Sequence, residues 1–170
     1  MSPNRPRTLL AASALALALL FSGYATWSYA EARTDGSADY SRTRDTVLDR
    51  GRTGITTLTS LDARTRRSAE AGLRAWQSAS TGALRTELAR SRPELGTRTR
   101  STVTEAALTA LDTRAGTAKL LATVRVDVTG AKGEQPGSDR KRLEAVLTRT
   151  GQGWKLKALG AVPVGTAGRN

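Results

Sequence analysis

From Thr8 to Ala30 the chain carries no charged side chain, and Leu9, Leu10, Leu15, Leu17, Leu19, Leu20 and Phe21 make that run strongly apolar. Coiled as a helix at ~1.5 Å of rise per residue, it is about 34 Å long, enough to cross a bilayer. Arg5 and Arg7 precede it, while Glu31 and Asp35 follow alongside Arg33. Basic residues stay on the cytoplasmic side, so the N-terminus is expected inside and everything after the run outside. Tyr24, Trp27 and Tyr29 stand near its outer end, where amphipathic rings favour the membrane interface. The sequence thus predicts a cytoplasmic basic tail over 1–7, a transmembrane signal-anchor helix over 8–30 and a linker over 31–38. The competing reading is a secretory signal peptide with Leu9 to Phe21 as its apolar region, cleaved near Ala30 or Ala32. Either way the remaining domain is extracytoplasmic: plasma membrane and single-pass in the first case, secreted in the second.

Composition then removes whole classes of chemistry. The 170 residues include no Cys and no His. Disulfides, thiolate metal sites, a cysteine nucleophile and His-based triads are excluded, and so is the lipidated cysteine of a bacterial lipoprotein. The chain after the apolar run is long enough to bury a core without covalent staples. The formal charge of +12 makes nucleic acid the first partner to consider. Basic residues are spread along the chain, however, aromatics make up only 4%, and the domain lies beyond a membrane. The expectation is a solvated basic surface, with contact to an anionic lipid or polymer next and no nucleic acid partner.

The hydrophobic period changes once along the exported part. Between Asp39 and Leu61, Val47, Leu48, Gly51, Gly54, Ile55 and Leu58 repeat at helical spacing, with charged residues on the other faces. A second helix is predicted over Ala63 to Ser78, capped by Asp62 and burying Ala69, Leu73 and Trp76. Gly82 interrupts it, and a short third helix over Ala83 to Arg90 buries Leu84 and Leu88 before Pro93. Strands follow: Arg100 to Leu111, then Lys119 to Thr129 with Leu120, Ala122, Val124, Val126 and Val128 on one face. A flexible loop is expected over Gly130 to Asp139. Lys141 to Thr150 and Trp154 to Val162 complete the sheet, joined by a hairpin at Gly151-Gln152-Gly153. Helices first and strands after make an α+β domain over 39–164, about three helices packed on a curved antiparallel sheet of about four strands, with a disordered tail over 165–170.

Several stretches in this order resemble a known family. They are the basic tail and apolar segment; Arg44-Asp45-Thr46-Val47-Leu48 opening a helix that ends in Leu58-Thr59-Ser60-Leu61-Asp62; and Ala79-Ser80-Thr81-Gly82-Ala83-Leu84. The strand Ala122-Thr123-Val124-Arg125-Val126-Asp127-Val128 and the closing Gly153-Trp154-Lys155-Leu156 to Val162-Pro163-Val164 come after them. The chain resembles the actinobacterial Mce-associated membrane proteins, whose outer domain is similar to the nuclear transport factor 2 (NTF2-like, cystatin-like) cone. Each of these stretches is a structural signature rather than a chemical one. The resemblance implies a non-enzymatic accessory protein of the cell envelope, a scaffold or stabilising subunit of an Mce-type lipid import complex. It also favours the retained anchor over the cleaved signal.

Chemistry-bearing residues are few. Glu105 and Asp127 fall on predicted strands; pointing inward, either would be a carboxylate base, and pointing outward, a solvated or arginine-paired acid. Trp76 and Trp154 stand where core aromatics belong, with ligand stacking as the rival role. Small residues at Ala107, Ala122, Ala145 and Ala158 would leave room for a lipid tail inside a cone, which keeps open a second function: a carrier binding a hydrophobic small molecule. A secreted enzyme, the third, would need a cavity acid pair for which the sequence offers no support. Gly51 to Gly54 lacks the ending of a phosphate loop, and no clustered acids form a calcium loop. No catalytic residue, metal site or cofactor is predicted.

Overall fold

The computed structural model describes residues 36–130 and 137–162. The anchor residues Leu9, Leu10, Leu15, Leu17, Leu19, Leu20, Phe21 and Trp27, the topology residues Arg5 and Arg7, and the tail over 165–170 lie outside the described residues. The chain divides into two units, Met1–Ser41 and Arg42–Asn170. The second holds all of the sheet and most of the helical residues.

Helix α1 runs from Gly36 to Thr59, three residues ahead of the expected start at Asp39. Its predicted stripe is the buried one: Val47, Gly51, Gly54, Ile55 and Leu58 face the core, and Leu48 packs at its margin. Threonine is a weak helix former because it is stiff at χ1 and competes for backbone hydrogen bonds. Here Thr46, Thr57 and Thr59 each donate the hydroxyl to the carbonyl four residues back, those of Arg42, Thr53 and Ile55.

The chain then makes a two-residue strand, β1 (Leu61–Asp62), which the sequence pattern does not predict. It pairs with the start of β2 (Arg98–Asp112) through Leu61↔Thr99 and Asp62↔Arg98. Asp62 is therefore not the cap of the second helix. That helix, α2 (Arg66–Ala79), is capped three residues later by Thr65, whose hydroxyl accepts from the Ser68 N–H while the Ser68 hydroxyl accepts from the Thr65 N–H. This reciprocal box satisfies two otherwise orphaned donors, which a lone Asp62 so far upstream does not reach. Helix α3 (Gly82–Arg90) comes next, with Leu84 and Leu88 half-buried against the core.

The remaining strands are β3 (Thr117–Thr129), β4 (Gly137–Thr150) and β5 (Gly153–Ala161). All five strands lie in sequence order in one antiparallel sheet. The loop expected to reach Asp139 is shorter, because Gly137 and Ser138 already pair with Val128 and Asp127. The β4–β5 hairpin closes at Gly153, whose φ of 95° lies in the region an L side chain resists. Along one face of the sheet Ala118, Leu120, Ala122, Val124, Leu143, Ala145, Leu147 and Leu156 are buried and meet the α1 stripe. Each large aliphatic side chain closed away in this layer contributes about 1.5–3 kcal/mol. Val128, expected on the same face, is 40% exposed because it lies past the end of the covered region.

Strand β2 departs from simple alternation twice. Its pairing with β3 shifts between Val103 and Glu105 and again between Leu108 and Ala110. Each bulge adds one residue to β2 and reverses which side chains face inward from there on.

Candidate functional site

The resemblance to the NTF2-like cone implies that a ligand, if held, would lie between α1 and the sheet. Gly51 and Gly54 bring the helix close there. A Cβ at Gly51 would meet Leu120 Cδ1 at 3.1 Å and Leu147 Cδ2 at 3.6 Å; one at Gly54 would meet Leu156 Cδ1 at 2.8 Å. Leu120, Leu147 and Leu156 are at most 1% exposed. Of the four alanines that would leave room for a lipid tail, Ala122 and Ala145 are buried under α1, whereas Ala107 and Ala158 are exposed.

Both candidate carboxylates face away from that interior. Val103 pairs with Val124 on the covered side, and simple alternation would put Glu105 there too. The bulge between them instead sets Glu105 opposite Thr123 on the outer face, where it is exposed. Asp127 is outward as well, between Arg100 and Ser138 in register. Glu105 and Asp127 stand four residues apart along β3, about 13 Å at strand rise, too far to act on one proton.

Both tryptophans serve packing. Trp154 lies half-buried against the core cluster. Trp76 donates its indole N–H to the Ser60 carbonyl at 3.0 Å. Around it the ends of α1 and α2 are tied down: Ser101 donates to the Thr59 carbonyl at 2.7 Å, Ser80 to the Trp76 carbonyl at 2.7 Å, and the Thr81 N–H to the Leu156 carbonyl at 2.8 Å. Ser80 and Ser101 are buried, and every buried side-chain polar atom among the described residues has a partner. Buried polar side chains are expected to be paired in this way, and here the pairing holds the elements together.

The most perturbed titrating group is also architectural. Arg64 donates to Asp62 through Nε at 3.0 Å, its terminal nitrogen at 2.6 Å and its backbone N–H at 3.2 Å. Arg98 stands 3.8 Å away. The Arg64 hydrogen bonds hold the Asp62 carboxyl down from 3.8 to about 2. They pin β1 and the turn into α2.

What remains is surface. A cleft of about 560 Å³ on the outer face is lined by Thr104, Glu105, Thr123, Arg140 and Arg142, and one of about 420 Å³ lies where α1, α2 and the β4–β5 hairpin meet, beside Trp154. No cluster of acidic residues able to hold a metal occurs among the described residues, nor does any helix long and apolar enough to cross a membrane.

No protein-family model matches the sequence, and no curated protein does. Solved structures do. CagV, a VirB8 homolog of the type IV secretion system of Helicobacter pylori, superposes with a TM-score of 0.55 at 9% identity, over 71% of this chain and 98% of that one. An IcmL-like type IV secretion system protein of Legionella pneumophila gives 0.49 at 10% identity, over 75% and 97%. An Ntf2-like protein involved in plasmid conjugation gives 0.49 at 11% identity, over 75% of this chain and 52% of that one. At these identities the likeness is one of fold, and CagV alone of the three exceeds 0.5. The domain has the α+β, NTF2-like fold, with helices on one face of a five-stranded antiparallel sheet.

Proposed function

We propose that this chain is a non-enzymatic accessory protein of the cell envelope. The segment over 8–30 anchors it in the plasma membrane with the N-terminus cytoplasmic, and the domain over 39–164 works outside as a scaffold or stabilising subunit of a multi-protein complex. The observation that carries the reading is the seating of Gly51 and Gly54 on Leu120, Leu147 and Leu156. A helix that close to the sheet takes up the space in which enzymes and carriers of this architecture keep their ligand, and leaves the surface as the working part. The likeness to CagV, itself a secretion-system component, supports an envelope assembly role by analogy of fold. Within that role, the resemblance to Mce-associated proteins favours a lipid import complex as the assembly served.

Native mass spectrometry of the full-length protein released from mild detergent tests the reading. The expected spectrum shows the bare, uncleaved chain. A stoichiometric lipid that survives release and is lost on Gly51→Leu would overturn it in favour of a carrier.

A further inference from the structure

On the outer face of the sheet Arg100 has Asp127 opposite it in register, but two other arginines face one another. Arg125 on β3 stands directly opposite Arg140 on β4, and Arg142, two residues on, opposite Thr123. Like charges set opposite one another across a ladder destabilise a sheet. Among the described residues Arg125, Arg140 and Arg142 make no ion pair. Arg140 and Arg142 also line the 560 Å³ cleft, together with Thr104, Glu105, Thr123 and Lys141 among others. Next along the same face, Leu121 is 39% exposed between Ala107 and Glu144 in register. The face thus offers a guanidinium cluster, interleaved acids and an exposed aliphatic side chain, one rung after another.

We infer that this face docks an acidic segment of a partner protein, whose carboxylates engage Arg125, Arg140 and Arg142 and whose neighbouring apolar side chain covers Leu121. The inference rests on the proposed assembly role and specifies the chemistry of the partner. Guanidinium groups match carboxylates in paired, planar hydrogen bonds, so clustered arginines select a positioned acid rather than a diffuse field. Glu105, Asp127 and Glu144 are interleaved on the same face. They would repel an anionic bilayer, which presents one sign of charge over a wide area, whereas a peptide meets each acid with an N–H donor. Arginine around an exposed aliphatic centre is also the usual make-up of a protein–protein contact.

The test is fluorescence anisotropy of a short labelled peptide of alternating glutamate and serine with leucines at one end, titrated with the full-length protein in mild detergent. Wild-type protein is expected to bind saturably, and Arg140→Glu/Arg142→Glu to bind at least about tenfold more weakly. Arg85→Glu/Arg90→Glu on α3 changes the net charge equally and is expected to stay within about twofold. Equal losses in both variants, or no loss in either, overturn the inference. So does failure to bind the peptide combined with sedimentation on phosphatidylglycerol vesicles that Arg140→Glu/Arg142→Glu abolishes, which would make the face a membrane contact. A complex recovered intact from membranes while the peptide test fails would remove this inference and leave the assembly role standing.

Discussion

Ser101 on β2 donates its hydroxyl to the carbonyl oxygen of Thr59, the last residue of α1, at 2.7 Å. The Ser101 N–H donates in turn to the Ser60 hydroxyl at 2.9 Å. A helix end leaves carbonyls without intrahelical partners, and this one is satisfied from the sheet. Ser101 is 4% exposed, so water does not readily replace it. Ser101→Ala is therefore expected to cost about 1–3 kcal/mol, the penalty of a buried acceptor left unpaired. Denaturant unfolding measures it, and a loss near zero would show that the contact does not hold α1 to the sheet.

Gly51 and Gly54 separate two opposing effects. Replacing a helical glycine by alanine gains about 1 kcal/mol in propensity. At Gly51 the new Cβ meets Leu120 at 3.1 Å, a tight contact that offsets this gain, and Gly51→Ala is expected near neutral. At Gly54 it meets Leu156 Cδ1 at 2.8 Å and Cγ at 3.2 Å, closer than a Cβ can sit, so the buried Leu156 must shift. Overpacking of this kind costs about 1–3 kcal/mol, so Gly54→Ala is expected to destabilise on balance. Thermal melts of the two variants should differ in that order.

The Asp62 carboxyl titrates near 2 when folded, against 3.8 when free. A depressed folded value contributes stability that is present above the unfolded value and lost as pH falls through the folded one. The contribution is thus complete above about pH 4 and fades toward pH 2. Wild type minus Asp62→Asn, followed by urea unfolding across that range, isolates it from the other carboxylates. A difference independent of pH would mean that Arg64 does not hold the charge.

Arg140 opposite Arg125 carries an expectation about stability as well as binding. Arg140→Glu replaces a like-charge pair with an opposite one across the ladder and is expected to stabilise the domain by about 0.2–1 kcal/mol. A variant that is more stable and yet binds the acidic probe less well would mark the arginine as kept for binding. Destabilisation would contradict the register argument.

The sequence carried the packing of this domain much better than its surface. The α1 stripe was legible because six residues, Val47 to Leu58, repeat at one period, and Leu143, Ala145 and Leu147 alternate without interruption. Asp62 misled because an acid ahead of a helical run looks like a cap. Its pairing with Arg98 is a contact across 36 positions that no local pattern encodes. The outward turn of Glu105 was hidden for a related reason: an extra residue in a Thr- and Ala-rich strand leaves no mark in the alternation, yet reverses the side chains as far as the next bulge. The arginines were countable, but their juxtaposition depends on the β3–β4 register, fixed across a loop and not by spacing.

Assembly is the proposed role of this membrane-anchored domain. Its most direct test is a mild-detergent pull-down of the full-length protein, C-terminally tagged, from its own membranes. Recovery of the uncleaved chain together with subunits of an envelope complex is expected, those of a lipid importer if the finer proposal holds. A chain recovered alone from the medium, trimmed near Ala30 or Ala32, would contradict both the anchor and the assembly role.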